Sequence, residues 1–280
     1  MQGEFSQIVA LTTYGNWVLQ GRGEARSLDL LNTNNSFSFC ASVQFVELPQ
    51  KPPAKNEKIY AADPRDWLDW LCSEGVASLR LSYLPSEGAG LADRLSAAFA
   101  GGGGRRLLEA SSPAGCDFWQ SRWLVGDRNR PDRKIWNVTY FRIARTPAPP
   151  ARQDEDLAAL ISSLKASLEE IAEFSRSTKL DNFTRLFEDG LSRLVSPTPL
   201  EGLYLHDIAP ADFLSLDAAR LIGASEAAWV FGGMGSWNDQ FFEGAEQERY
   251  EKLSEKLYSL INHSIVAAAN STGAPPPPAT

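Results

Sequence analysis

Residues 116–144 read CDFWQSRWLVG, DRNRPDR, KIWNVTYFRIA. Two segments rich in aromatic and β-branched residues flank a polar tip that contains a proline, the pattern of a long antiparallel hairpin. Working upstream, SFSFCASVQFVEL (36–48) alternates Phe37, Phe39, Ala41, Val43 and Phe45 against Ser38, Cys40, Ser42 and Gln44. That period of two predicts a strand with one buried and one wet face. VASLRLSYL (76–84) reads as a further strand, and FSQIVALTT and NWVLQGRG, joined at YGN (14–16), read as two strands meeting at a turn. QKPPAKNEK (50–58) breaks the pattern as a loop.

Two short helices interrupt the strands. Asp63 is placed to cap one, with Pro64 in the first helical position, Trp67, Trp70 and Leu71 as its stripe and Gly75 as its stop. LADRLSAAFAGGGG (91–104) gives the second, ended by its glycines. RTPAPPARQ (145–153) is then a stiff, extended linker.

Beyond it the period changes. Leu157, Leu160, Ile161, Leu164, Leu168 and Ile171 recur at spacings of three and four from a helix start at Asp154. Phe183, Leu186, Phe187, Leu191, Leu194 and Val195 form a second stripe, and Tyr250, Leu253, Leu257, Leu260, Ile261 and Ile265 a third. The fold class is therefore α+β: an N-terminal antiparallel sheet with short helices in residues 1–146, a Pro-rich linker at 147–153, a mainly α-helical region at 154–271 and a disordered tail at 272–280.

A length of 280 residues suits two modest domains, and an apolar fraction of 43% is that of an ordinary folded chain. Charge divides unevenly. Residues 1–150 hold 17 basic and 15 acidic side chains, whereas residues 151–280 hold 10 and 20. That asymmetry predicts surfaces with different partners and excludes a chain that binds nucleic acid nonspecifically over its whole surface. Cys40, Cys72 and Cys116 are widely spaced and odd in number, which suits neither a disulfide framework nor a zinc site and predicts a reducing cytoplasm. The start MQGEFSQIVALTTYGNW has no basic residues ahead of a long apolar run, and no run reaches the length of a membrane span. A leader, a membrane segment, a metal site and a cofactor are all unexpected.

Candidate chemistry is sparse. AAWVFGGMGSWNDQFF (227–242) carries Gly232, Gly233 and Gly235 but satisfies neither the dinucleotide nor the P-loop spacing. Its plain reading is a turn after a strand ending at Phe231, with Ser236, Asn238 or Asp239 capping the next helix. GGGGRRLL (101–108) follows a helix and precedes a strand, the reverse of a phosphate cradle, and reads as a flexible connector. SSLK (162–165) has the S-x-x-K spacing without its partner motifs, and the carboxylates at 154–156 sit where a helix start favours negative charge.

Two constellations remain. His206 and Asp207, in YLHDIAP, have an acid/base pairing that would need Asn238 and Asp239 brought alongside to form an active site. Seven basic residues, Arg122, Arg128, Arg130, Arg133, Lys134, Arg142 and Arg145, fall in or near the hairpin tip, with Trp119, Trp123, Trp136 and Tyr140 between them. Arginine among aromatics serves protein interfaces and single-stranded nucleic acid alike.

The leading expectation is a non-catalytic cytoplasmic protein-binding or adaptor protein that contacts another protein through Arg128, Arg130, Arg133, Trp136 and Trp237. The alternatives are an enzyme built on Asp207, His206 and the Gly232–Asp239 turn, and nucleic-acid binding through the hairpin at 118–145.

Overall fold

A computed structural model of the chain describes residues 3–48, 58–86, 91–151 and 155–273. All of the loop expected at 50–58 except Lys58 lies outside those residues, as do Arg152 and Gln153 of the linker, the helix start at Asp154 and positions 274–280 of the tail.

The chain begins with a helix, α1 (Gly3–Leu19), not with two strands. The reading of two strands meeting at a turn failed because α1 is buried on nearly every side, from Phe5 to Thr13 and again at Gly15, Asn16 and Val18. A helix enclosed all round shows no amphipathic stripe. Its β-branched hydroxyls are satisfied within the helix or across the core: Thr12 donates to Ile8 O at 2.8 Å, and Thr13 to Ile208 O at 2.7 Å. Gly15, read as a turn, is a point of close approach, since a Cβ there would lie 2.3 Å from Leu79 Cδ1.

Short turns follow: a 3₁₀ turn at Ala25–Ser27, α2 (Leu30–Thr33), and a second 3₁₀ turn at Asn35–Phe37. Asn34 caps the second turn by accepting from Ser36 N at 2.9 Å. The first strand therefore starts later than its alternation implies. β1 is Cys40–Glu47, so Phe37 belongs to the buried turn and Phe39, just ahead of the strand, is 49% exposed.

β2 (Ile59–Ala61) leads into α3 (Pro64–Ser73), where Asp63 caps by accepting from Asp66 N at 2.9 Å. β3 (Ser78–Leu84), α4 (Asp93–Ser96), β4 (Arg105–Ser112), β5 (Gly115–Val125) and β6 (Trp136–Thr146) complete the first half. The six strands of the described residues form one sheet in the order β2-β1-β6-β5-β4-β3. The sheet is mixed: β1 and β6 run parallel, and the other neighbours are antiparallel.

The glycine run before β4 is not an open connector. Gly104 has φ +85°, and a Cβ there would meet the Tyr83 ring at 2.5 Å. The hydroxyl of Tyr258 donates to Gly103 O at 2.7 Å, fixing the run against the helical half.

The second half is helical: α5 (Leu157–Ser177), α6 (Asp181–Arg193), α7 (Leu216–Ala227) and α8 (Gly244–Asn270). Asp156, not Asp154, caps α5, accepting from Ala158 N and Ala159 N. α7 carries no single stripe, since Ala218 and the five residues from Leu221 to Ser225 are all buried, and the sequence pattern did not single it out. The stretch before Phe231 is irregular, not a strand, although Ser236 does cap a 3₁₀ turn at Trp237–Asp239.

One buried core runs through both halves, from Phe45, Trp67, Trp119 and Tyr140 under the sheet to Phe174, Trp237 and Tyr258 among the helices. Phe45 lies at its sheet end, stacked on Trp67 at 4.2 Å and on Tyr140 at 5.1 Å, with Trp119 edge-on. Such offset aromatic pairs add to what area burial alone supplies.

Two asparagines tie α1 and α8 to the free edge of the sheet. Asn16 accepts from Leu79 N at 2.8 Å and donates to Leu79 O at 3.0 Å. Asn270 does the same for Leu81, at 2.7 and 2.9 Å. Each side-chain amide stands in for the peptide group of a missing neighbour strand, satisfying main-chain groups that an edge otherwise leaves open.

Candidate contact surface at the hairpin end

β5 and β6 form the long hairpin that their sequence implies, and its tip carries Arg128, Arg130 and Arg133 into solvent. The tip is internally organised. Asp127 accepts from Asn129 N at 2.9 Å, and Arg133 takes a left-handed conformation at φ +59°. Arg130 forks onto Asp132 at 3.0 and 2.7 Å, and this bonding holds the Asp132 carboxyl well below the usual carboxylate range. Lys134 anchors the base of the tip to α2, donating to Leu31 O at 3.1 Å and Asn32 Oδ1 at 2.8 Å. Arg122, Arg128 and Arg133 are exposed and make no ion pair among the described residues.

Trp136 is half-buried and meets Trp123 edge-to-face at 5.8 Å. Its main-chain N–H bonds Phe39 O at 3.0 Å, and it pairs across the hairpin with Val125. This brings Phe39, Leu124 and Val125 to one end of the sheet, with Leu124 51% and Val125 40% exposed. The sequence pattern missed these three. It assigned Phe39 to a buried face, and nothing in the spacing of Leu124 and Val125 marks them as exposed.

Trp237, expected on the binding surface, is instead wholly enclosed. Phe174, Phe183, Phe187 and Tyr250 surround its ring at 5.2–6.3 Å. Its indole N–H donates to Ser254 Oγ at 2.7 Å, and Tyr250 OH donates to its carbonyl at 2.7 Å. This tryptophan pins the glycine turn to α8.

The residues singled out for acid/base chemistry are held by separate structural contacts. Asn238 grips α4: its Nδ2 donates to Arg94 O at 2.8 Å, and Arg94 Nη1 donates to its Oδ1 at 3.3 Å. Arg94 itself is buried and paired with Glu251 and Glu255. Asp239 accepts from Gly235 N within its own turn. His206 is exposed, with Nδ1 3.1 Å from Leu203 O. Asp207 Oδ2 accepts from Asn35 N at 2.8 Å, while its carbonyl accepts from Tyr14 OH at 3.1 Å. None of the four lines either of the two grooves described on the surface, one of about 460 Å³ beside β3 and one of about 280 Å³ beside α2.

One titratable group that carries no signal in the local sequence lies near Asp207. Glu226 Oε1 accepts from Leu205 N at 3.2 Å, and its Oε2 is buried with no hydrogen-bond partner among the described residues. Burial pushes this carboxyl up. Burial likewise pushes the Cys40 thiol up to about 12, where Gln7 Nε2 lies 3.2 Å from its sulfur.

Among the described residues no three His, Cys, Asp or Glu side chains are grouped to hold a metal ion, and no helix is long and apolar enough to cross a membrane. Comparison with known proteins finds no matching family model, curated relative or solved structure.

Proposed function

We propose that this chain is a non-catalytic, cytoplasmic protein-binding or adaptor protein, and that it contacts its partner through the hairpin end. One observation carries the reading: Phe39, Leu124 and Val125 are open to solvent at one end of the sheet, with Arg122, Arg128 and Arg133 on the same hairpin. Leu124 and Arg122 share one face of the hairpin and Val125 turns to the other, beside Trp123 and Trp136; exposed apolar side chains bordered by arginine are the composition of interface hot spots. The surplus of arginine there favours a partner with acidic side chains around an apolar depression, because opposite potentials steer encounter and fix register. Cys40, Cys72 and Cys116 form no disulfide among the described residues, which accords with a reducing compartment.

The two alternative readings have less support. A platform for single-stranded nucleic acid needs an exposed ring face, whereas Trp136 is half-buried against Trp123. An enzyme using His206 and Asp239 would have to free Asp207 and Asn238 from the contacts that hold their loops in place.

Affinity capture from native lysate tests the proposal, using the wild-type chain and a Phe39→Ser/Leu124→Asp variant, each with and without nuclease. A stoichiometric protein that survives nuclease and is lost in the variant supports it. Capture that the variant leaves unchanged, or that nuclease abolishes, refutes it.

A further inference from the structure

The edge of β3 is closed at only two of its three outward positions. In an antiparallel edge strand, alternate residues turn both main-chain groups away from the sheet. Leu79 and Leu81 are such residues, and Asn16 and Asn270 occupy them. Tyr83 is the next by the same alternation, still in register with Arg106 of β4. Its main-chain N–H and C=O have no hydrogen-bond partner on that side among the described residues.

The groove of about 460 Å³ lies at this open position. Ser82, Tyr83 and Leu84 form its strand wall. Ser259, His263 and Val266 on α8 form the other. The Asn270 clamp joins helix to strand at one end, and the walls stand apart beyond it. Glu155 closes the rim through its 2.5 Å contact with His263 Nε2. On α8, Tyr258, Asn262 and Ile265 are buried in the core, whereas Ser259 and His263 are exposed and Val266 half-buried.

We infer that this groove is a peptide-binding site, distinct from the hairpin end, that takes a short extended segment by strand addition. The segment pairs its main chain with Tyr83 and sets an apolar side chain against Val266 and Leu84. A strand edge bordered by a helix recognises a peptide this way: main-chain bonds supply affinity, and the helix wall selects side chains. A groove of this size admits a few residues, within the common range for ligand sites of roughly 300–1,000 Å³.

The test uses the full chain and a displayed library of random heptapeptides, with the enriched sequence remade as a synthetic peptide. Ser259→Trp fills the groove from an exposed position without touching the asparagine clamps, and its fold is checked by circular dichroism. The peptide is expected to shift the Tyr83 and Leu84 amide resonances and to lose at least about tenfold in affinity to the Ser259→Trp variant. N-methylation at alternate peptide positions is expected to cost about tenfold wherever a main-chain bond to Tyr83 is removed. A library that yields no enriched sequence overturns the inference. So does a binder indifferent to Ser259→Trp or to N-methylation, or one lost only when Leu124→Asp is introduced at the hairpin.

Discussion

Asn270 and Leu81 stand 189 residues apart in sequence and exchange two hydrogen bonds, at 2.7 and 2.9 Å, through a side-chain amide that mimics a strand. Asn16 repeats the arrangement on Leu79, so the first and last helices are both fastened to one sheet edge by the same chemistry. Replacing either asparagine by alanine leaves a donor and an acceptor of the strand without their partners, at a cost of roughly 1–3 kcal/mol for each group that water cannot reach. The Asn16→Ala chain, whose side chain is buried, should lose more in denaturant midpoint than Asn270→Ala. The double variant should also associate at high concentration, because an open edge templates pairing. Equal stability of all three chains and the wild type would remove the edge-closing role.

Trp237 predicts a core penalty, not a binding defect. Truncation to alanine empties a box of four aromatic rings and removes the bond that Ser254 Oγ accepts, and it should destabilise by about 3–5 kcal/mol. The milder Trp237→Phe chain keeps most of the packing and loses the indole bond, so its loss in urea unfolding should be well under that of alanine. Partner capture by Trp237→Phe should be unchanged.

Glu226 gives a pH dependence. Its folded-state carboxyl is raised by burial, so its contribution to stability is full below the unfolded glutamate value and is lost as pH rises through the folded value. Glu226→Gln keeps an acceptor for Leu205 N without a buried charge. Its melting temperature should exceed that of the wild type at pH 8, and the gap should narrow toward pH 4. A gap that widens on acidification would contradict the assignment.

Thiol reactivity should separate the three cysteines. Cys40 and Cys116 are buried and Cys72 is exposed, so a thiol reagent should label one equivalent in the native chain and three in denaturant. Burial, then the charge of Asp69, raises the Cys72 thiol. Labelling should therefore quicken as pH rises, and Asp69→Asn should quicken it at pH 8. Two equivalents in the native chain would show that the core is open to reagent.

Much of the sheet was legible because its strands and turns are local signals. The hairpin at 116–144 and the Asp63–Pro64 helix start are written in neighbouring residues and form as expected. α1 was not legible, because a helix buried on nearly every side, polar residues included, shows no amphipathic stripe, and Gly15 there serves packing against Leu79. The parallel pairing of β1 with β6 likewise leaves no mark in either strand's own pattern.

The candidate site divides the same way. Its arginines stand out as a charge cluster, whereas the exposure of Phe39, Leu124 and Val125 is set by tertiary packing that their own spacing does not encode. The groove beside Tyr83 depends on the Asn270–Leu81 contact, which no local spacing encodes. Trp237 misled for the opposite reason: a tryptophan beside glycines, asparagine and aspartate has the composition of a surface site, yet here it fixes a turn to the core.

The most direct test of the protein-contact proposal is a photo-crosslinking amino acid placed at Leu124 and, as control, at Val195, which is 69% exposed on the helical side. Irradiation in native lysate should give a discrete, nuclease-resistant protein adduct from position 124 and none from position 195. No adduct at 124, the same adduct at both positions, or one that disappears with nuclease would contradict a protein contact at the hairpin end.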